Sequence, residues 1–527
     1  MSSSQCSVRI KIDMVSKTYA AALYGLSTKL IEVEVSVSPG LRAFQIVGLP
    51  DTAVKEAKER VSAALRACSL SSPYQQARRV LVNLAPANIK KEGSQYDLPI
   101  ALSYLLASQQ TRFENTETMA LGELALNGSI KPVNNALAFS LLAKERGFRQ
   151  LILPKENEKE AGLANYFKKE PELRVVGAKH LKEAIAHLEK RCSIEPLPLT
   201  ALNLHNHPPT DFEVDLSWIR GQHQAKRALE IAAAGGHNLL LQGPPGAGKT
   251  LLAKSIISIL PRLTEEEMVE LTTIYSAVGL LNRERPFLTK RPFRAPHHTS
   301  SEAALLGGSS PPRPGEITLS HRGILFLDEF PEFHRDVLEA LRQPMEEGKI
   351  TVQRASYSLT FPARFTLIAA ANPCPCGHYN DPDRECSCAS SQVSSYRRKL
   401  SGPLIDRFDL FCWLGSLKYE EISSQDKAHS QEIGNRVKKA RKTQKQRFKA
   451  ESILTNAEMT IPQIKKYCSL PEKSRSILKE FDRGKLSARG FHRVLKTART
   501  IADLAEKEDI GLDHLAEALS YRLREEG

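Results

Sequence analysis

Gly243-Pro-Pro-Gly-Ala-Gly-Lys-Thr250 matches the phosphate-binding pattern G-x-x-x-x-G-K-[ST] at every fixed position. Gly243, Gly246 and Gly248 let backbone N–H groups close around an anion, with Pro244, Pro245 and Ala247 completing the loop. Lys249 is expected to reach the β- and γ-phosphates, and the Thr250 hydroxyl to ligate Mg²⁺. Further along, Gly323-Ile-Leu-Phe-Leu-Asp-Glu-Phe330 is an apolar run ending in two carboxylates. Asp328 is expected to hold Mg²⁺ through its water shell, and Glu329 to polarise the attacking water. Leu367-Ile-Ala-Ala-Ala-Asn-Pro373 is a third apolar run, ending in Asn372, which is placed to orient that water or simply to turn the chain. In Ser401-Gly-Pro-Leu-Ile-Asp-Arg-Phe-Asp-Leu410, Arg407 is the candidate for a cation reaching a neighbouring subunit's γ-phosphate. Arg397 and Arg398 are its rivals, and pairing of any of these to Asp406 or Asp409 is the plainer alternative. Together the motifs predict ATP hydrolysis.

Sulfur forms a second constellation. Cys374, Cys376, Cys386 and Cys388 make two C-x-C pairs ten residues apart, four of the chain's nine cysteines. Thiolates at such spacing can enclose a tetrahedral, structural Zn²⁺, although C-x₂-C is the commoner form. Reduced free thiols are the alternative, and His378 is a substitute ligand.

These groups need elements to position them. Asn238–Gln242 reads as a buried strand leading into the phosphate loop, and Thr250–Leu260 as a helix with an apolar face leaving it. The apolar runs before Asp328 and Asn372 have the unbroken hydrophobicity of strands in a parallel sheet, whose C-terminal edge is where ligands bind. Before this core, Leu30–Val37 alternates with period two, Phe44–Pro50 and Arg79–Leu84 read as strands, and Asp51 can cap a helix over 52–68. Leu98–Leu106 and Ala136–Arg146 read as helices and Leu151–Pro154 as a strand. The proline-rich stretches Glu195–Thr200 and His205–Thr210 read as a linker. Leu486–Leu504 has the spacing of one amphipathic helix, with Ser487 as its cap. The fold class is therefore α/β with a parallel-sheet core and a helical C-terminal part. Domains are expected over 1–190, 212–415 and 416–527, with a linker over 191–211.

The chain has 527 residues and a formal net charge of +14, which invites a polyanionic partner such as nucleic acid. A polar, charged beginning (Arg9, Lys11, Asp13) and no apolar run long enough to cross a bilayer lead to the expectation of a cytoplasmic protein without membrane contact. Lys349–Pro362 contains two β-patterned runs around Arg354-Ala-Ser356, a hairpin whose cationic tip could hold a DNA phosphate without reading sequence. Asn435–Lys449 is heavily basic, either a solvated helix face or a DNA track.

Arg291-Pro-Phe-Arg-Ala-Pro-His-His-Thr-Ser300 and Pro314-Gly-Glu-Ile-Thr-Leu-Ser-His321 make the comparison specific. With the ATP motifs, they resemble the magnesium-chelatase-like AAA+ family. Gly122–Pro132 and Gly147–Asn157 resemble the Lon-protease fold found at the N-terminus of one branch of that family. The resemblance implies that Gly221-Gln222 lies near adenine, that Asn372 is the sensor-1 residue, and that Arg489 is the sensor-2 residue, with Arg493 as its alternative. It implies an arginine acting in trans within a homo-oligomeric, hexameric ring. It also implies a DNA helicase, driving branch migration in homologous recombination during natural transformation, with single-stranded and branched DNA as partners. The Lon-type dyad is not matched: its lysine falls at Leu137 and its serine near Gln95, beside Ser94, so this domain is expected to be non-proteolytic. His297 and His298 are expected to make packing or loop contacts, since their motif holds no carboxylate or cysteine at ligand spacing. A metal-chelatase-type motor acting on a non-nucleic-acid partner is the alternative function, and a Lon-like peptidase a third.

Overall fold

The computed structural model describes residues 14–167, 170–198, 212–281, 286–308, 313–354, 357–379, 381, 384–399, 404–415, 430–451, 453–471 and 487–522. Arg9, Lys11, Asp13, His205–Thr210, Ala355–Ser356, Ser401–Pro403, the expected 415/416 boundary and the side chain of Arg354 lie outside the described residues. Two compact units form: Met1–Asn206 with Glu265–Leu288, and His207–Thr264 with Thr289–Gly527.

The first unit is built on a seven-stranded mixed sheet. Its order is Ala43–Val47, Arg78–Ala85, Ser27–Pro39, Met14–Tyr24, Thr118–Ala120, Gln150–Pro154 and Arg174–Ala178. The period-two alternation of Leu30–Val37 places Ile31, Val33 and Val35 in the core while the glutamates between them stay near solvent. The Asp51 carboxylate accepts from the Val54 N–H at 2.7 Å, so the helix starts at Thr52 and runs to Ala67. Leu137, where the dyad lysine would fall, is fully buried in helix Ala136–Glu145. Ser94 donates to the Glu123 carboxylate, and the buried Lys91 ammonium donates to the Pro86 carbonyl.

One helix of this unit comes from the stretch that follows the phosphate loop in sequence. Glu265–Ala277 is anchored by Ser276, whose Oγ donates to the buried Glu160 carboxylate at 2.7 Å and accepts from the Asn135 N–H at 2.6 Å. Burial pushes the Glu160 carboxyl up, and the hydrogen bonds from Ser276 and the Leu137 N–H offset part of that shift.

The second unit holds a five-stranded, all-parallel sheet. Its order is Phe293–Arg294, Ile324–Leu327, Thr366–Ala371, Leu239–Gln242 and Leu410–Trp413. The central strands are buried on both faces, as their unbroken apolar sequences require. Leu239 pairs with Ile368 on one side and Leu410 on the other, which sets the phosphate-loop strand between the Asn372 strand and the last strand. The helix after the loop is α-helical only over Lys249–Ser255, then tightens to a 3₁₀ turn at Ile256–Ser258.

Behind the sheet lie the C-terminal helices. Ser487 caps Ala488–Leu504, its Oγ accepting from the Gly490 N–H at 3.1 Å. Val494, Leu495, Ala498 and Ile501 of that helix are buried in the unit's core. The basic helix Ser430–Arg447 is not wholly a solvated face. Arg436 pairs with Glu230 at 2.6 Å, Arg441 donates to the Ala233 carbonyl, and Arg447 pairs with the buried Asp503 at 2.5 Å.

Candidate active site

The strand endings gather the side chains expected to serve ATP at one edge of the parallel sheet. Leu239–Gln242 delivers Gly243, and the loop turns through Gly246 and Gly248 at φ +81° and +82°, values that favour glycine. Lys249 then folds back along the loop. Its Nζ donates to the carbonyls of Gly243 and Pro244, each at 2.8 Å, and to Asn372 Oδ1 at 3.0 Å. Burial lowers the Lys249 pKa, while the Asp328 charge raises it. Thr250 Oγ1 donates to Asp328 Oδ2 at 2.6 Å. A hydroxyl and a carboxylate thus converge beside an ammonium, a donor set suited to the hard cation of a Mg²⁺–nucleotide.

Glu329, whose N–H donates to Asp328 Oδ1 at 3.0 Å, has a left-handed backbone at φ +50° and a half-exposed side chain. Its Oε2 lies 3.2 Å from His298 Nδ1. The His297-His298 motif holds no carboxylate, but the fold supplies one from the neighbouring strand: Phe293–Arg294 pairs with Ile324–Leu327 and so brings the two segments together. His298 also sits edge-on to Phe333, and His297 Nδ1 meets Thr299 Oγ1 at 2.8 Å.

The candidate arginines occupy other positions. Arg407 is buried, with Nη2 2.5 Å from Glu346 Oε1. Burial lowers its pKa, and the Glu346 charge opposes that shift. Arg489 is 67% exposed and lies 3.8 Å from the same carboxylate. Its rival Arg493 is committed elsewhere, 2.6 Å from the buried Asp409. Arg397 stacks over the Tyr379 ring at 4.5 Å, and Arg398 donates to the Ser394 carbonyl of its own helix at 3.4 Å. Gln222 has a left-handed backbone, and its side-chain amide donates to the Gly415 carbonyl at 3.0 Å. Arg354 ends the first strand of hairpin Lys349–Arg354/Tyr357–Pro362.

The four cysteines come together as their spacing suggested. All four Sγ atoms lie within 4.8 Å of one another. Cys374 and Cys376 are 3.3 Å apart at sulfur, and Cys376 and Cys386 3.5 Å. The His378 backbone N–H, aimed at the sulfur, draws the Cys376 thiol well below the ordinary thiol range. His378 is turned away to Asp381, at 2.8 Å.

Comparison with known proteins agrees with this geometry. Family models of the magnesium chelatase subunit ChlI match residues 215–422, 33–157 and 427–522, the last as its C-terminal part. YifB of Escherichia coli K12 is 42% identical over 517 residues, covering 96% of this chain and 97% of that protein. The competence protein ComM of Haemophilus influenzae is 41% identical over 514 residues, covering 96% of each. The chain belongs to the ComM/YifB-type magnesium-chelatase-like AAA+ family. A shorter similarity, 30% over 210 residues, joins it to the DNA replication licensing factor Mcm2 of Drosophila melanogaster, covering 37% of this chain and 20% of that protein. Membership of this AAA+ ATPase-type family suggests ATPase activity, with ATP and Mg²⁺ as the implied ligands. Among the described residues no helix is long and apolar enough to cross a membrane.

Reasoning from sequence did not find three partners: Glu346 under Arg407, Asp409 under Arg493, and Glu329 beside His298. The only signal for the last was the paired histidines themselves. The others are pairings across more than sixty residues of chain, which no local pattern announces.

Proposed function

We propose that the protein is an ATP-driven DNA motor, a helicase that assembles as a hexameric ring and promotes branch migration in homologous recombination during natural transformation. The observation that carries this reading is the convergence of Lys249, Thr250, Asp328 and Asn372 at one sheet edge, in a chain that matches a competence protein along nearly its full length. The net charge of +14 and the Mcm2 similarity favour DNA as the partner, single-stranded and branched.

In this reading Lys249 neutralises the β- and γ-phosphates, and Thr250 and Asp328 hold the Mg²⁺. Glu329 orients water once released from His298, and Asn372 senses the γ-phosphate. Arg407 acts in trans on the neighbouring subunit's ATP, and Arg489 closes over it as sensor-2. Arg354, at the hairpin tip, grips the DNA backbone in the ring's pore. The N-terminal domain is non-proteolytic, because leucine at 137 offers no base for Ser94. The four cysteines hold a structural Zn²⁺.

The matches to chelatase subunit models favour a second reading, a motor serving a metal-chelatase-type complex. DNA dependence of the ATPase separates the two. With Lys249→Ala as the blank, turnover should rise on single-stranded and branched DNA, and Arg354→Ala should remove the rise. Turnover indifferent to all DNA would reject the motor and favour the chelatase-type role.

A further inference from the structure

The sulfur cluster lies in the same loop system as the nucleotide groups. Asn372 follows the strand Thr366–Ala371, Pro373 comes next, and Cys374 begins the cluster. The loop then runs through the four thiols and returns as helix Ser390–Lys399. Buried Tyr396 of that helix comes back beside the Asn372 backbone, close enough for it to act on the Tyr396 hydroxyl. The loop therefore leaves from Asn372 and comes back to it, and the cysteines staple its two limbs together: Cys374 and Cys376 on the outgoing limb, Cys386 and Cys388 on the returning one. Cys374 Sγ lies 3.7 Å from Cys386 Sγ, and the Cys376 N–H donates to Cys388 Sγ at 3.3 Å.

The same loop touches the phosphate loop directly. Gly377 turns inside the cluster at φ +85°, its N–H donating to the Cys374 carbonyl at 3.0 Å. A Cβ at Gly377 would overlap the Pro245 ring. The cluster thus bears on the nucleotide site at two points, Pro245 of the phosphate loop and Asn372, whose Oδ1 accepts from Lys249 at 3.0 Å.

The sulfur geometry is that of a metal cage. Zinc–thiolate bonds of about 2.3 Å at tetrahedral angles put the sulfurs roughly 3.8 Å apart. The closest pairs here, at 3.3, 3.5 and 3.7 Å, are near that edge length and too long for disulfides. Among the described residues this is the one group of cysteine, histidine or carboxylate ligands close enough to hold an ion.

We propose that Cys374, Cys376, Cys386 and Cys388 bind one Zn²⁺ per chain, and that this ion braces Pro245 and Asn372, so that nucleotide affinity follows metal occupancy. The proposal rests on the reading of Gly243–Thr250 as an ATP site. Without the ion, no bond joins the two limbs at sulfur. A bound Zn²⁺ ties the limbs together at sulfur and closes a short loop, which holds Gly377 against Pro245.

The test uses full-length protein, its zinc content, and titration with fluorescent ADP. Wild type should carry one zinc per chain and bind ADP. Cys386→Ser/Cys388→Ser should lose the zinc and bind ADP at least about tenfold more weakly. Because that variant can also fail to fold, Gly377→Val, which keeps all four thiols, supplies the second arm: zinc retained, ADP weakened to a similar degree. Co²⁺ exchanged into wild type and into Gly377→Val should show the absorption of a tetrahedral thiolate site in both. Wild type free of zinc after reconstitution would overturn the metal site. ADP affinity within twofold of wild type in Gly377→Val would overturn the bracing while leaving the ATP site intact. Failure of zinc-loaded wild type to bind ADP would instead reject the ATP-site reading beneath it.

Discussion

Asp409 is the clamp between the phosphate-loop strand and the C-terminal helices, and replacing it should loosen the second unit. Its Oδ1 meets Arg493 Nη1 at 2.6 Å, its Oδ2 accepts from the Asn238 N–H at 3.0 Å, and His237 Nδ1 stands 3.6 Å away. Burial pushes this carboxyl up, but the Arg493 charge and His237 more than offset it and hold it far below the usual carboxylate range. Lys496, lowered to about 8 by burial, adds a further cation on the same helix. Asp409→Ala leaves Arg493 without its counter-charge and Asn238 N–H without its acceptor. Removing one partner of a buried pair costs about 3–5 kcal/mol. The two tryptophans, Trp218 and Trp413, both belong to this unit, so their emission during urea unfolding reports it alone. With a slope of about 3 kcal/mol/M, the midpoint should fall by roughly 1 M or more. Asp409→Asn, which keeps an acceptor for Asn238 but not the charge, should fall in between. A loss below about 1 kcal/mol for Asp409→Ala would refute the clamp.

Other expectations follow from the same contacts. Arg407→Ala should abolish hydrolysis in the assembled protein while leaving ATP binding intact, and loss of nucleotide binding would contradict a role in trans. His298→Ala should free Glu329 and raise DNA-independent turnover by roughly two- to fivefold, the scale of a partly exposed ion pair; a fall in basal turnover would show that the contact positions Glu329 for water. Burial raises Asp97 to about 6 despite Arg60 Nε at 2.7 Å. Because the folded pKa lies above the unfolded one, its protonation stabilises the first unit fully below about pH 4, and that stability is lost as pH rises through about 6. Asp97→Asn should flatten this pH dependence, read by hydrogen exchange in helix Asp97–Ala107.

The convergence of the candidate site was legible because its motifs are local: the phosphate-loop pattern, the Asp328-Glu329 pair and Asn372 each sit within a few residues of a strand, and unbroken apolar runs marked the parallel sheet. Asp51 and Ser487 were readable as caps for the same reason. What escaped is tertiary. Nothing in Glu265–Ala277 indicates that Ser276 will seek the buried Glu160, so that a helix following the phosphate loop in sequence packs with the first unit. The basic run Asn435–Lys449 shows the limit of counting charges, since Arg436, Arg441 and Arg447 spend theirs on Glu230, a carbonyl and Asp503.

The most direct test of the DNA-motor reading is migration of a labelled branched DNA junction by the full-length protein with ATP. The account predicts ATP-dependent movement that is lost in Lys249→Ala, in Glu329→Gln and in Arg354→Ala. ATP turnover without junction movement, or movement unaffected by Arg354→Ala, would contradict it.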